Sequence, residues 1–222
     1  MGFRILLVGG TGQVGSALVR ALLACSACSE VVMVNRRAVP LTATPRLRQV
    51  VLDVSATGFE REVESLAAAV CALGDPVVGA SCIGIGKGSQ SWSEADIQKL
   101  EIGMVGAFAR GCHAGGIERF GLLSAAGSSA NSMIRYARIM GHKEDTVRAV
   151  GFGQLAIFRP GIIAGNAHTP PVLARLGRLI PGSFGTIDQD DIGRAFVAEF
   201  VHGSSGTVVL ENARMRERSR TL

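Results

Sequence analysis

The sequence predicts an α/β fold, a doubly wound parallel sheet within one domain over residues 1–222, and three observations predict it. Apolar runs of strand length alternate with stretches of helical periodicity from end to end. The first run ends in a glycine-rich turn that opens directly into the first helix. No linker or internal repeat divides the 222 residues, a length that one core of ordinary size accommodates.

The elements follow in order. "FRILLVGG" (3–10) is a continuous apolar run, as expected of a strand buried on both faces. "QVGSALVRALLAC" (13–25) repeats apolar residues at helical spacing, and "EVVMVN" (30–35) is the next strand. "LRQVVLD" (47–53), "FEREVESLAAAVCAL" (59–73) and "DPVVGASCIG" (75–84) give strand, helix, strand. "EADIQKLEIGMVGAFARGCHAG" (94–115) reads as one long helix, then "ERFGLLSA" (118–125) as a strand. Helix is expected over "NSMIRYARIMGHKEDTVRAVG" (131–151) and strand over "GQLAIFRPG" (153–161). "DDIGRAFVAEFVHG" (190–203) opens on acidic residues suited to a helix start, and "GTVVLEN" (206–212) is the last strand. Such alternation requires right-handed crossovers and a parallel sheet. The residues after "FRPG" are few, which leaves only a small C-terminal substrate-side lobe.

Composition sets the outer limits. With 47% hydrophobic and 18% charged residues, the chain has enough apolar surface to fold. No apolar stretch approaches the roughly 18 residues of a membrane-spanning helix. "MGFRILLVGG" has neither the flanks of a signal peptide nor a Ser or Thr for myristoylation, so a cytoplasmic protein without membrane partners is expected. The net charge of +5 owes much to "RMRERSR", and residues 211–222 are expected to fray as a basic tail. Only 5% of residues are aromatic, which gives no stacking platform for nucleic acid. Cys25 and Cys28 have CxxC spacing without a second pair, and read as small apolar fillers rather than metal or redox residues. His113 sits at a helix end, and His142, His168 and His202 show no ligand spacing; no metal site is expected.

The chemistry begins at the first turn. Gly9, Gly12 and Gly15 permit a tight turn, close approach of backbone to a pyrophosphate, and close helix–strand packing. Thr11, Gln13 and Val14 lie between them, where backbone N–H groups and the helix dipole face an anion. This is the setting of a dinucleotide-binding Rossmann-type domain. At the end of the second strand an NAD site usually presents Asp or Glu to the ribose, whereas this chain presents Asn35, Arg36 and Arg37. Guanidinium groups suit a 2′-phosphate, so NADP(H) is preferred over NAD(H). Asp53, closing the third strand, is placed to accept a hydrogen bond from the adenine amino group.

The GxxGxxG loop with Thr11–Gly12, "SCIGIGKGS", "RFGLLSAAGSS", "FRPG" and "DIGRA" together cover nearly the whole chain. In these motifs the sequence resembles the atypical and extended short-chain dehydrogenase/reductase superfamily. Within it the chain is most similar to the subgroup of NAD(P)-binding oxidoreductase-like proteins that includes the Tat-interacting protein TIP-thirty. The resemblance implies that Ile83 and Gly84 border the cofactor, and that Pro160 and Gly161, after Arg159, pass the nicotinamide. It also implies a serine that orients a substrate carbonyl, matched by Ser124, and a proton-donating tyrosine, matched by Tyr136. The lysine that belongs four residues later is Met140. Lys143, seven residues from Tyr136, and Lys87, in the loop after the fourth strand, are the available substitutes, though Lys143 reads more readily as a solvated helix residue and Lys87 as a loop residue. Ser128 and Ser129 suit an active-site rim, and Trp92 suits a cover over the substrate mouth. Two functions follow. The chain is expected to be an NADPH-dependent reductase, or an epimerase-like enzyme, acting on a small carbonyl compound, or else a non-catalytic NADP(H) binder that signals occupancy to a regulatory protein partner.

Overall fold

The computed structural model describes residues 2–41, 44–84, 92–165, 180, 182–203 and 205–222. Lys87 and His168 lie outside the described residues.

Seven strands form one parallel sheet: β1 (Phe3–Val8), β2 (Cys28–Asn35), β3 (Leu47–Val51), β4 (Val77–Ser81), β5 (Arg119–Leu123), β6 (Gln154–Arg159) and β9 (Gly206–Glu211). Their spatial order is β3-β2-β1-β4-β5-β6-β9. The chain therefore reverses direction across the sheet between β1 and β4, and a crevice opens there at the carboxyl ends of the strands. This is the doubly wound Rossmann-type architecture that the alternation predicts.

Both faces are covered, which explains the unbroken apolar strands. On one face α1 (Gln13–Ala24) and α6 (Gln189–His202) bury Leu18, Leu22, Phe196 and Phe200 against Ile5, Leu7 and Phe158. On the other, α2 (Phe59–Cys71) and α4 (Val105–Ala114) bury Val63, Phe108 and Cys112 against Leu6, Val32 and Phe120. Small residues set the spacing of these layers. A Cβ on Gly111 or Gly115 would strike the α2 backbone or side chains, so α4 approaches α2 closely only because both positions are glycine.

Three features depart from the sequence reading. The long helix expected over 94–115 is broken into α3 (Glu94–Gln98), a π-helix over Lys99–Met104, and α4. The last helix before β6, α5, spans Arg135–Arg148 and begins four residues later than expected. A second, two-stranded parallel sheet of β7 (Ile162–Ala164) and β8 (Thr186–Asp188) also forms beside the main one.

The basic tail does not fray. Residues Asn212–Ser219 form a helix, α7, whose Met215 and Asn212 are fully buried. Met215 anchors the helix in the core, and Arg218 Nε lies 3.2 Å from the carboxylate of the buried Glu199 on α6. One methionine among arginines was too thin an apolar pattern to signal that docking. Among the described residues no helix is long and apolar enough to cross a membrane.

Candidate functional site

The glycine loop closes the crevice from the β1 side. Gly9 has a φ of +81°, and a Cβ there would stand 2.7 Å from the carbonyl carbon of Cys82 and from Ile83 N. The loop thus lies against the end of β4, across the topological switch point. The Gly12 N–H donates to Gly9 O at 3.1 Å and the Ser16 N–H to Gly12 O at 2.8 Å, which starts α1 inside the loop. The N–H groups of Gln13, Val14 and Gly15 are in the first turn of α1, where helix geometry provides no intrahelical acceptor. Thr11 and Gly12 are exposed beside them.

Gly15 makes the sharpest demand. A Cβ there would collide with Gly9 O and lie 2.8 Å from Gly10 Cα. Gly15→Ala is therefore expected to push α1 off the loop, lowering stability by about 1–3 kcal/mol. Urea unfolding of the variant checks this effect.

The arginine pair and its neighbours divide. Arg36 and Arg37 are exposed just past β2, at the carboxyl edge of the sheet. Asn35 is instead buried, and its amide donates to Gln49 Oε1 at 3.1 Å. Gln49 in turn holds Val39 N at 3.0 Å and Val39 O at 2.7 Å. Asn35 therefore shapes the loop that carries the arginines, a different task from facing the ribose. Asp53 is exposed, and its carboxylate accepts from Ser55 Oγ at 2.6 Å and Ser55 N at 3.0 Å. Those two hydrogen bonds lower its pKa below the usual carboxylate value. A cavity of about 340 Å³ adjoins it, lined by Val54, Ser55, Leu100 and Met104, with Trp92 at its side. Trp92 thus borders the cavity beside Ser55, while its carbonyl accepts from Arg135, the neighbour of Tyr136, at 3.3 Å.

At the opposite end the structure separates residues that the sequence pairs. Ser124 is buried, and its hydroxyl donates to Glu144 Oε1 at 2.5 Å and lies 3.1 Å from Ser128 Oγ. Among the described residues no hydrogen bond joins it to Tyr136. Glu144 is itself held by Arg159, whose Nε and Nη2 reach its two oxygens at 2.8 and 2.6 Å. The hydroxyl proton of Ser124 is therefore committed to a buried, arginine-paired carboxylate.

Tyr136 is the second residue of α5, with 40% of its surface exposed. Desolvation around its hydroxyl, and after that the negative charge of Glu101, push its pKa above the ordinary phenol value. Met140, one turn further along, is buried and carries no charge to oppose this.

Lys143 does not take the place of the missing lysine. It is fully buried, with Nζ donating to Glu101 Oε2 at 2.7 Å and to Ile83 O at 2.8 Å. Glu101 is also fully buried, on the π-helix, an irregular turn that often marks functional sites. Far from a solvated helix residue, Lys143 is a clamp between α5, the π-helix and the segment after β4. Its ammonium is neutralised by Glu101 and has no surface open to a ribose.

Two more residues of the site carried no sequence signal that singled them out. Glu144 has been described. Asn212, the first residue of α7, accepts from Gly161 N at 3.0 Å and donates to Gly185 O at 2.7 Å. Pro160 O accepts from Ala126 N at 2.9 Å. The Arg159–Pro160–Gly161 segment is thereby fastened on three sides. Among the described residues no group of three His, Cys, Asp or Glu side chains converges to hold a metal ion.

No family model matches the chain. A protein of Aspergillus niger, "Protein fmp52, mitochondrial", is 30% identical over 217 residues, covering 92% of this chain and 89% of its own. The chain belongs to the Fmp52 family. The Aspergillus terreus and Aspergillus clavatus members are likewise named as mitochondrial, which overturns the expectation of a cytoplasmic protein. Among solved structures, the oxidoreductase ylbE of Lactococcus lactis superposes with a TM-score of 0.70 at 15% identity, over 99% of this chain and 96% of that one. The Bordetella bronchiseptica enzyme WbmG, solved in complex with NAD, gives 0.69 at 16% identity over 95% and 73%. At such identities the likeness establishes the Rossmann-type fold of this Fmp52-family chain.

Proposed function

We propose that this chain binds NADP(H) in the crevice between β1 and β4, and that dinucleotide occupancy, rather than rapid hydride transfer, is its function. The observation that carries the first half is the packing of Gly15 against Gly9 O, which no side chain would allow and which brings the first turn of α1 up against the glycine loop. The first turn of α1 would take the pyrophosphate, the exposed Arg36 and Arg37 the 2′-phosphate, and Asp53 the adenine amino group. When bound, NADPH supplies a hydride for a carbonyl carbon. The residues on the chain's side of that chemistry are not assembled to exploit it: Ser124 is committed to Glu144, Lys143 to Glu101, and position 140 is an apolar methionine. An occupancy signal read by a regulatory protein partner, in the mitochondrial setting of the relatives' names, fits that arrangement. The resemblance to the TIP-thirty subgroup is consistent with it.

A second reading, reduction of a small carbonyl compound, is favoured by the partial exposure of Tyr136, which leaves its phenol able to meet a substrate. A panel of aldehydes and ketones assayed with NADPH separates the two. Turnover that vanishes in Tyr136→Phe supports the reductase, whereas tight NADPH binding with no turnover supports the occupancy reading.

Cofactor choice is testable by calorimetric titration. Arg36→Ala combined with Arg37→Ala should weaken NADPH binding about 10- to 100-fold and leave NADH binding unchanged, because only NADPH carries the 2′-phosphate. Equal loss for both cofactors would remove the arginines from the 2′-phosphate role.

A further inference from the structure

We propose that Glu144 is the positioning residue of the nicotinamide half of the crevice, an inference that rests on the NADP(H) reading above. Its carboxylate joins three elements at once. Being on α5, it shares a helix with Tyr136; it accepts the Ser124 hydroxyl at the end of β5; and it takes a two-pronged contact from Arg159 at the end of β6. Arg148, one turn further along α5, adds a second cation at 3.5 Å.

Burial gives this junction its rigidity. Glu144 is 2% exposed, so its charge must be met by fixed partners, and Arg159 with Ser124 meets it in a planar, directional arrangement. Arg159 directly precedes Pro160 and Gly161. Gly161 has no room for adjustment, since a Cβ there would strike the carbonyl oxygens of Ser183 and Gly185. The α5 side is equally tight. A Cβ on Gly141 would collide with the Ser129–Ala130 backbone, and Ser129 N donates to Ala137 O at 3.0 Å. The loop after β5, the tyrosine helix and the Pro160–Gly161 segment are thus one frame, with Glu144 at its centre. The glycine loop, Arg36, Arg37 and Asp53, which would take the adenosine and phosphates, make none of these contacts.

That separation defines the test. Wild type, Glu144→Gln and Ser124→Ala are titrated with NADPH and with 2′,5′-ADP, which keeps the adenosine and 2′-phosphate but lacks the nicotinamide. Glu144→Gln preserves shape while removing the charge that orients Arg159. It should weaken NADPH binding about tenfold and change 2′,5′-ADP binding less than about twofold. Ser124→Ala, which leaves the arginine pairing intact, should fold in any case and shift NADPH binding in the same direction by a smaller factor. Parallel losses for both ligands, or no loss for either, would reduce Glu144 to a general stabilising residue and overturn the proposal. Wild-type protein that binds neither ligand would instead overturn the cofactor reading on which it rests.

Discussion

If the chain reduces a carbonyl compound, as in the second reading above, Met140→Lys is expected to raise the rate of that NADPH-dependent turnover by at least about 100-fold, the scale on which a well-tuned proton donor contributes. Methionine and lysine have similar length, and position 140 lies one helical turn from Tyr136, where side chains on one face are neighbours. The wild-type tyrosine is surrounded by influences of one sign. Desolvation disfavours its phenolate, and so does the Glu101 carboxylate. An ammonium at position 140 opposes both, favours the phenolate and lowers the pKa.

The sign fixes the pH profile. In the alcohol-oxidation direction the tyrosine must act as a base, so the rate rises as pH passes upward through its pKa. The wild-type pKa is raised above the usual phenol value, so no such limb should appear below about pH 10. In Met140→Lys the limb should move down into the accessible range. Met140→Leu should gain nothing, and adding Tyr136→Phe should remove the gain. A lysine variant that binds NADPH normally yet turns over no faster would show that the missing lysine is not what limits this site.

The parts of the molecule that local rules govern were legible in the sequence, and the parts that depend on distant partners were not. The alternation of apolar runs and helical periods states the order of elements, and Gly9 and Gly15 state the turn after β1, because the backbone conformation of the first and the close contact of the second can be met only by glycine. By contrast, Lys143 and Glu101 are 42 positions apart, and nothing local distinguishes them from solvated charges on exposed helix faces. The same holds for Ser124. Its position twelve residues before Tyr136 matched a motif, but whether its hydroxyl faces a substrate or Glu144 depends on how α5 rotates against β5. Met215 docks α7 as its single buried apolar side chain, below the threshold of any periodic pattern. Spacing identifies which residues share a neighbourhood, whereas the direction in which a polar side chain spends its hydrogen bonds is a tertiary property.

That property makes Lys143→Met the substitution with the largest expected cost to stability. It takes the Lys143 ammonium away from the fully buried Glu101 carboxylate and from Ile83 O. Removing one member of such a pair costs about 3–5 kcal/mol, because the desolvation penalty of the remaining charge is no longer offset. The urea midpoint should fall accordingly, with the slope of the transition unchanged. Lys143→Met combined with Glu101→Leu should regain most of the loss, since an apolar pair in the same volume removes both charges of the Lys143–Glu101 ion pair together. Cofactor affinity is expected to part company with stability in that double variant. Ile83 lies after β4, against the glycine loop, and its carbonyl is oriented by the Lys143 ammonium in particular. Restored stability with NADPH binding still weakened would mean that the clamp holds the crevice wall in register. Recovery of both together would mean that Lys143 and Glu101 serve the core alone, with the wall of the crevice held by the backbone contacts between Gly9 and Cys82.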